Sequence, residues 1–306
     1  MIYYAGHKFL QLVRAQSGSI ESGQLSDDQL RVFWCCFIVE CDSIASFDVV
    51  RSGIEPLSDE VPLPRSVEDS DHDDLIYFVA ETAITRLMNR IHSSLYSPAS
   101  IDITVLAESP LTPNSPILNN LLTLSSELNR QLEQHYISIP VQPSIMADPV
   151  SNERRRILNM RYHHARHLIY RRFLLFVALR PQQQSSPAPV ATSSKSPTPT
   201  QTLYPLPRVI IEKCHVCIQS SEALLIAAVA VLDKRSPYLW TVFDISVASF
   251  IVLFLASQSP YLRHLVPDLE ALAGVFVPKM RKWATPGSSF EAGLKIVDML
   301  LASRYR

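Results

Sequence analysis

An all-α fold is predicted by three observations. Apolar residues recur at helical spacing along most of the chain. Glycine is scarce, with seven in 306 residues, while Leu, Ala, Ile and Arg are abundant, a composition that favours helices over sheets. No stretch alternates apolar and polar residues over a useful length, and no fixed-period repeat runs through the chain. The expectation is a multi-helix array of about eight or nine helices, packed by ridges into grooves.

The elements follow in order. Met1 to Gln16 has helical spacing at Tyr3, Leu10 and Val13, and its Gly6, His7 and Lys8 interrupt any signal-peptide pattern. Ser26, followed three residues on by Gln29, reads as a capping box opening a helix from Asp27 to Val50. Leu30, Phe33, Trp34, Phe37, Ile38 and Ile44 form its apolar side. Ser52-Gly53 stops it. Pro56, Pro62 and Pro64 predict an extended loop through IEPLSDEVPLP. Acids from Glu68 to Asp74 lead into a helix over Leu75–Tyr96 and complement its dipole. Ser97–Pro116 reads as a loop, and Ile117–Tyr136 as a helix ending before Pro140. Asn152 is placed to cap a long helix over Glu153–Leu179, stopped by Pro181.

Residues 182–202 are a low-complexity stretch with too little apolar surface to fold, a disordered linker within one domain spanning 1–306. Helices are then predicted over 207–233, 238–257, 261–283 and 288–304, separated by turns at Ser236-Pro237, Ser259-Pro260 and Pro286-Gly287. Trp240–Ala256 is the most apolar segment. It is short for a membrane span and carries Asp244, so it reads as a buried core helix.

Composition excludes several functions. Hydrophobic residues make up 47% and charged ones 19%, a globular balance, and the net charge of −1 supplies no field for nucleic acid or anionic lipid. No glycine run can cradle a phosphate. No nucleophile elbow, HExxH or paired-carboxylate arrangement stands out, so no catalytic residue is named. The five cysteines read as free thiols in a reducing compartment. Cys214 and Cys217 form a lone CxxC one turn apart on an apolar face, which favours buried packing over metal or redox work, and Cys35, Cys36 and Cys41 are read the same way. His163 and His167 stand at i,i+4, but no acidic third ligand is near, so a helix-surface role is expected. The stretch 154–180 carries eight arginines (Arg154, Arg155, Arg156, Arg161, Arg166, Arg171, Arg172 and Arg180) and no acid. Pairing with acids such as Asp42, Glu68–Asp74 and Glu81 is expected ahead of nucleic-acid binding.

The segment Arg31–Pro64 resembles the middle homology region of fungal six-cysteine binuclear zinc-cluster transcription factors. In that family an Arg-x-x-Phe/Trp-Trp helix runs to an acid, then a loop ends near Leu-Pro. The matching positions are Arg31, Phe33, Trp34, Asp42, Pro62, Leu63 and Pro64. Ile84–Tyr96 resembles the family's Leu/Ile-rich helix ending in Tyr. Leu132, Glu133, Tyr136 and Pro140 match its next stretch, and Tyr162, His163 and Arg171 lie in a segment similar to its Arg-Tyr-His…Arg-Pro helix. The helix from Cys214 to Leu225 and the region around Trp283 also fit. Val50-Arg51-Ser52 stands where the family has Gly-Arg-Pro, and Arg172 where it has Pro.

This resemblance implies a nuclear transcription regulator of a metabolic pathway. The chain would be its helical effector-response domain, N-terminally incomplete: a fragment, a truncated gene product or a paralogue without its reader. The five cysteines have the wrong number and spacing for the zinc cluster, so zinc is expected only with a cluster outside this chain, and no other cofactor is expected. Expected partners are other transcription factors or co-regulators and a small-molecule effector. DNA is expected only through a missing or partner module, and no membrane is expected. Trp34, Tyr96, Trp240 and Phe243 are candidates for an effector pocket, with core packing the competing role. The rival classes are a non-DNA-binding scaffold that pairs with an intact regulator, and a helical enzyme of unrecognised type.

Overall fold

The computed structural model describes residues 26–46, 52–64, 72–97, 100, 102–108, 115–139, 153–180 and 206–304. Among these every regular element is helical and none is a strand. The predicted N-terminal helix, the 182–202 linker, the Asn152 cap and Pro140 lie outside the described residues.

Helix α1 spans Asp27–Ser46 and opens as its sequence predicts. The Ser26 amide donates to Gln29 Oε1 at 2.9 Å, while the Gln29 amide reaches Ser26 Oγ at 3.4 Å. After Gly53, which adopts φ +90°, the chain turns once through a 3-10 segment at Glu55–Asp59. This corrects the expected extended loop. Pro56 sits in the first turn, where its missing N–H leaves no bond unmade.

Helix α2 covers His72–Tyr96 and α4 covers Pro116–Ser138, with Ser115 capping α4 and Pro116 in its first turn. Between them a short helix, α3 (Ile103–Glu108), replaces the expected loop. Asp102 opens it by accepting from the Thr104 amide at 2.9 Å. Helix α5 (Glu153–Leu179) matches its predicted bounds, and α6 (Arg208–Val231) and α7 (Leu239–Gln258) fall within two residues of theirs. The single helix expected over 261–283 is divided. Arg263–Leu265 forms one 3-10 turn, Pro267 breaks the run, and Asp268 caps α8 (Leu269–Arg281) through the amides of Glu270 and Ala271. Helix α9 spans Ser289–Ser303 behind its Ser288 cap.

Helix α5 is the axis. It packs most extensively on α6 and also touches α2, α3, α4 and α7. Neighbours on so many sides bury residues around its whole circumference, which is why no single apolar stripe marks it in the sequence. Helices α6 and α7 are each long and apolar enough to cross a membrane, and both lie packed within the bundle. Ring contacts fasten α7 to its neighbours: Phe243 meets Phe290 of α9 edge-on at 4.6 Å, and Phe250 stacks with Phe276 of α8 at 6.5 Å. A second, smaller apolar cluster gathers Phe33, Trp34 and Phe37 of α1 with Ile54 and Val61 of the following loop.

Two glycines separate packing from propensity. A Cβ on Gly293 of α9 would stand 2.7 Å from the Phe243 ring and 3.1 Å from Val247, and Phe290 of the same helix already packs edge-on against that ring. Around Gly274 of α8 there is nothing within 4 Å. Replacing Gly293→Leu is expected to destabilise the chain by about 1–3 kcal/mol through overpacking. Gly274→Ala is expected to stabilise it by up to about 1 kcal/mol. Urea unfolding of the two variants checks both signs.

Candidate functional site

Three buried charged residues on three different helices meet at one point. Arg161 lies midway along α5, where α1, α2 and α7 approach it. It is 3% exposed, and its partners Asp42 of α1 and Glu81 of α2 are 8% and 9% exposed. The guanidinium grips Asp42 with both ends, Nη1 to Oδ1 at 2.8 Å and Nη2 to Oδ2 at 3.0 Å, while its Nε donates to Glu81 Oε1 at 3.0 Å. Two hydroxyls from the start of α7 complete the cluster. Tyr238 donates to Glu81 Oε2 at 3.1 Å, and Thr241 to Asp42 Oδ2 at 3.3 Å. All four carboxylate oxygens therefore have partners. Burial opposes the charge on Arg161, but the two carboxylates outweigh it and hold the guanidinium above its usual range. Burial, then the Glu81 charge, raises the Tyr238 hydroxyl.

Of the signature positions read from sequence, Asp42 belongs to this hub, and most of the others are joined in contacts of their own. Trp34 and Pro62 are joined directly, because the buried Trp34 indole donates to the Pro62 carbonyl at 3.0 Å. Phe33 packs edge-on against Trp34 at 5.1 Å, and Pro64 is buried nearby in sequence. Asp42 meets Arg161, the residue before Tyr162. The Tyr162 hydroxyl donates to Glu133 of α4 at 2.9 Å, and its ring lies 4.5 Å from that of Tyr136. Burial is the main cause that raises the Tyr162 hydroxyl. Arg171 donates to the Tyr96 hydroxyl at 3.3 Å, and Tyr96 in turn donates to the Leu168 carbonyl at 2.6 Å. Arg31 lies apart, in a half-exposed pair with Asp27 at 3.6 Å.

The expected pairing of the α5 arginines with Asp42 and Glu81 is met by Arg161 alone among the described residues, and the side chains of Glu68 to Asp74 lie outside those described. Others use aromatic faces instead. Arg166 lies over Tyr162 at 5.8 Å, Arg171 and Arg172 over Tyr96 at 4.7 and 5.1 Å, and Arg180 over Phe176 at 5.4 Å.

Three histidines correct the surface role expected for this helix. His163, His164 and His167 are all buried. Burial, reinforced by neighbouring arginines, pushes His163 down to about 4 and His164 down to about 3, and holds His167 well below the usual histidine range. The tautomer of His167 follows from its neighbours. Ser221 donates its one hydroxyl hydrogen to the Cys217 carbonyl at 2.9 Å, so its oxygen must accept at 2.9 Å from Nδ1–H of a neutral imidazole. Cys214 and Cys217 are fully buried, and burial raises both thiols, which agrees with packing rather than nucleophilic or redox use. Cys41 is buried, but Cys35 is exposed, contrary to expectation, because it falls on the outer side of α1. Among the described residues no three His, Cys, Asp or Glu side chains are grouped to hold a metal. Of the aromatic pocket candidates, Trp34 and Phe243 are core residues, Tyr96 is a hydrogen-bonding link, and Trp240 is half-buried.

Tyr238, Thr241 and Ser221 were not legible from sequence. Each acts through a partner far along the chain, and no local pattern marks them. No family profile, curated protein or solved structure matches this chain.

Two outcomes follow. Arg161→Met leaves two buried carboxylates facing each other, with an expected cost of about 3–5 kcal/mol; replacing all three charged residues with apolar ones of similar volume should recover much of that loss. Chemical denaturation of the single and triple variants reads both. The buried histidines bind protons in the unfolded chain, near an ordinary pKa of about 6.5, but not in the folded one until well below it. Stability is therefore expected to fall as pH drops from about 7 towards 4. The slope should flatten in a His163→Phe variant, measured by urea midpoints across that range.

Proposed function

We propose that the chain is the effector-response region of a transcription regulator of the fungal zinc-cluster type. The observation that carries this reading is the convergence of its signature positions. Motif segments recognised separately along the sequence meet through motif residues, Glu133 and Tyr136 with Tyr162 and Tyr96 with Arg171, and within the first segment Trp34 closes on Pro62. Asp42, at the end of the first motif, reaches Arg161 across 119 residues of chain. Such agreement between local pattern and tertiary contact is what a shared fold produces, and chance motif matches have no reason to touch.

The mechanism is a population shift. Four helices share one buried charge cluster, so a small rotation of any of them must break or exchange charge-assisted bonds. Packed, bonded interfaces of this kind favour discrete arrangements over continuous drift. A small-molecule effector or a co-regulator that prefers one arrangement would bias it. DNA would be reached through a zinc-cluster module outside this chain or supplied by a partner, with the chain acting in the nucleus. The net charge of −1 fits a region that does not itself grip phosphates.

A reporter assay tests this. The chain is fused to an unrelated DNA-binding module in yeast. Expected are nuclear accumulation and a change in reporter output relative to the module alone, altered further by Asp42→Asn. Purified chain alone should leave a DNA gel shift unchanged. A fusion whose output matches the bare module with and without Asp42→Asn would refute the reading.

A further inference from the structure

A trough between α6 and α8 has no part in the charge cluster. Leu225, Ile226 and Val229 of α6 form one wall, and Ala271, Leu272, Val275 and Phe276 of α8 form the other, enclosing about 410 Å³. Its lips are unusually bare. Ile226 is 50% exposed and Val275 is 56% exposed. Only two lining residues are charged, Glu222 and Asp268, and both are acids.

The ends of the trough can be told apart from the contacts of the two helices. Just past the end of α6, Asp233 pairs with Lys279 near the end of α8 at 2.5 Å, and Trp283 donates to the Leu232 carbonyl at 2.6 Å. The two helices therefore run in the same direction. Glu222 lies 11 residues before Asp233, and Asp268 lies 11 residues before Lys279. At about 1.5 Å per residue, both acids stand about 16 Å from the ion pair and level with each other. Beyond one end of the trough lies a neutralised pair, and the other end is flanked by two carboxylates. Neither Glu222 nor Asp268 forms an ion pair among the described residues. Asp268 Oδ1 caps α8, and the neighbouring Glu270 has Arg304 at 4.0 Å.

We propose that the α6–α8 trough is a docking surface for an amphipathic helix of a partner protein, with apolar residues at i, i+3/i+4 and i+7 on the trough floor and basic residues at the Glu222–Asp268 end. The lining residues run from Glu222 to Val229 and from Asp268 to Phe276, about 11 Å or two turns of helix, which matches an i to i+7 ridge. Open lips take a ridge of side chains, whereas a small molecule needs enclosing walls. Acids at one end only give the occupant a direction as well as an affinity. This adds a partner class to the regulatory reading without depending on it. Binding is read on the purified chain, so a silent trough and a silent reporter are separate results.

The probe is an alanine-based amphipathic peptide with leucines on one helical face and two lysines at one end. Its counterpart carries glutamates in place of the lysines. Fluorescence anisotropy with the full chain is expected to show the lysine peptide binding more tightly by about fivefold or more, a preference that shrinks as salt rises. Ile226→Asp and Val275→Asp, at exposed positions that do not support the core, should each weaken binding about tenfold. Glu222→Lys should reverse the peptide preference. Equal binding of both peptides, or binding unchanged in Ile226→Asp and Val275→Asp, would overturn the proposal. Concentration-dependent self-association abolished by Ile226→Asp would do so too, by assigning the trough to a second copy of the chain.

Discussion

Arg161 constrains everything around it. A guanidinium removed from water is tolerable only when its donors are filled and its charge is met, and here both conditions are satisfied by residues on two other helices. A carboxylate from α1 and one from α2 must therefore arrive in register at the same height on α5. The start of α7 must deliver the Tyr238 hydroxyl to Glu81 Oε2, the one oxygen that Arg161 leaves open, and the Thr241 hydroxyl to Asp42 Oδ2. Apolar packing alone is permissive about such details, since a leucine can slide past a leucine at small cost. A bidentate ion pair is not, and it selects one arrangement of four helices among the many that would bury similar area.

The same constraint explains why α5 looks wrong for a core helix. Its polar side chains each find a use in the interior. Arginines away from the hub lie over tyrosine and phenylalanine faces, and the histidines stay neutral and pack as flat rings. Neutral imidazole costs far less to bury than imidazolium, and nearby arginines deepen that preference. A helix rich in Arg and His thus becomes the most buried element in the bundle, between the apolar α6 and the half-exposed α2 and α4.

Most of the helices were legible because their signals are local. The Ser26–Gln29 box and the turn at Ser236-Pro237 each act within a few residues, and the structure uses both. The errors were equally physical. Prolines at 56, 62 and 64 forbade a long helix but not one 3-10 turn. Pro267 was read through because apolar spacing continues across it. The histidines of α5 were assigned to the surface because a helix with that much charge has no obvious buried face. Only tertiary neighbours on several sides, which no periodicity encodes, bury them. Glu81 and Asp42 are legible as partners for the arginines, but which arginine they meet, and the contributions of Tyr238 and Thr241, depend on contacts between residues 80 to 199 positions apart.

The polar hub and the α6–α8 trough stand in useful opposition. One is closed, fully bonded and shared among four helices; the other is open, apolar and shared between two. A body that transmits a binding event needs both kinds of region: a surface that can change occupancy at little structural cost, and an interior that resists intermediate arrangements. Helix α6 belongs to both. One side carries Cys217 and Ser221 against His167 of α5, and the other carries Ile226 and Val229 into the trough, barely two turns further along. A rotation of α6 would carry Ser221 along with Ile226, and so act on the hydrogen bond that fixes the His167 tautomer, six residues along α5 from Arg161. Helix α8 offers a second connection, because Phe276 in the trough wall stacks on Phe250 of α7, the helix that carries Thr241 to Asp42.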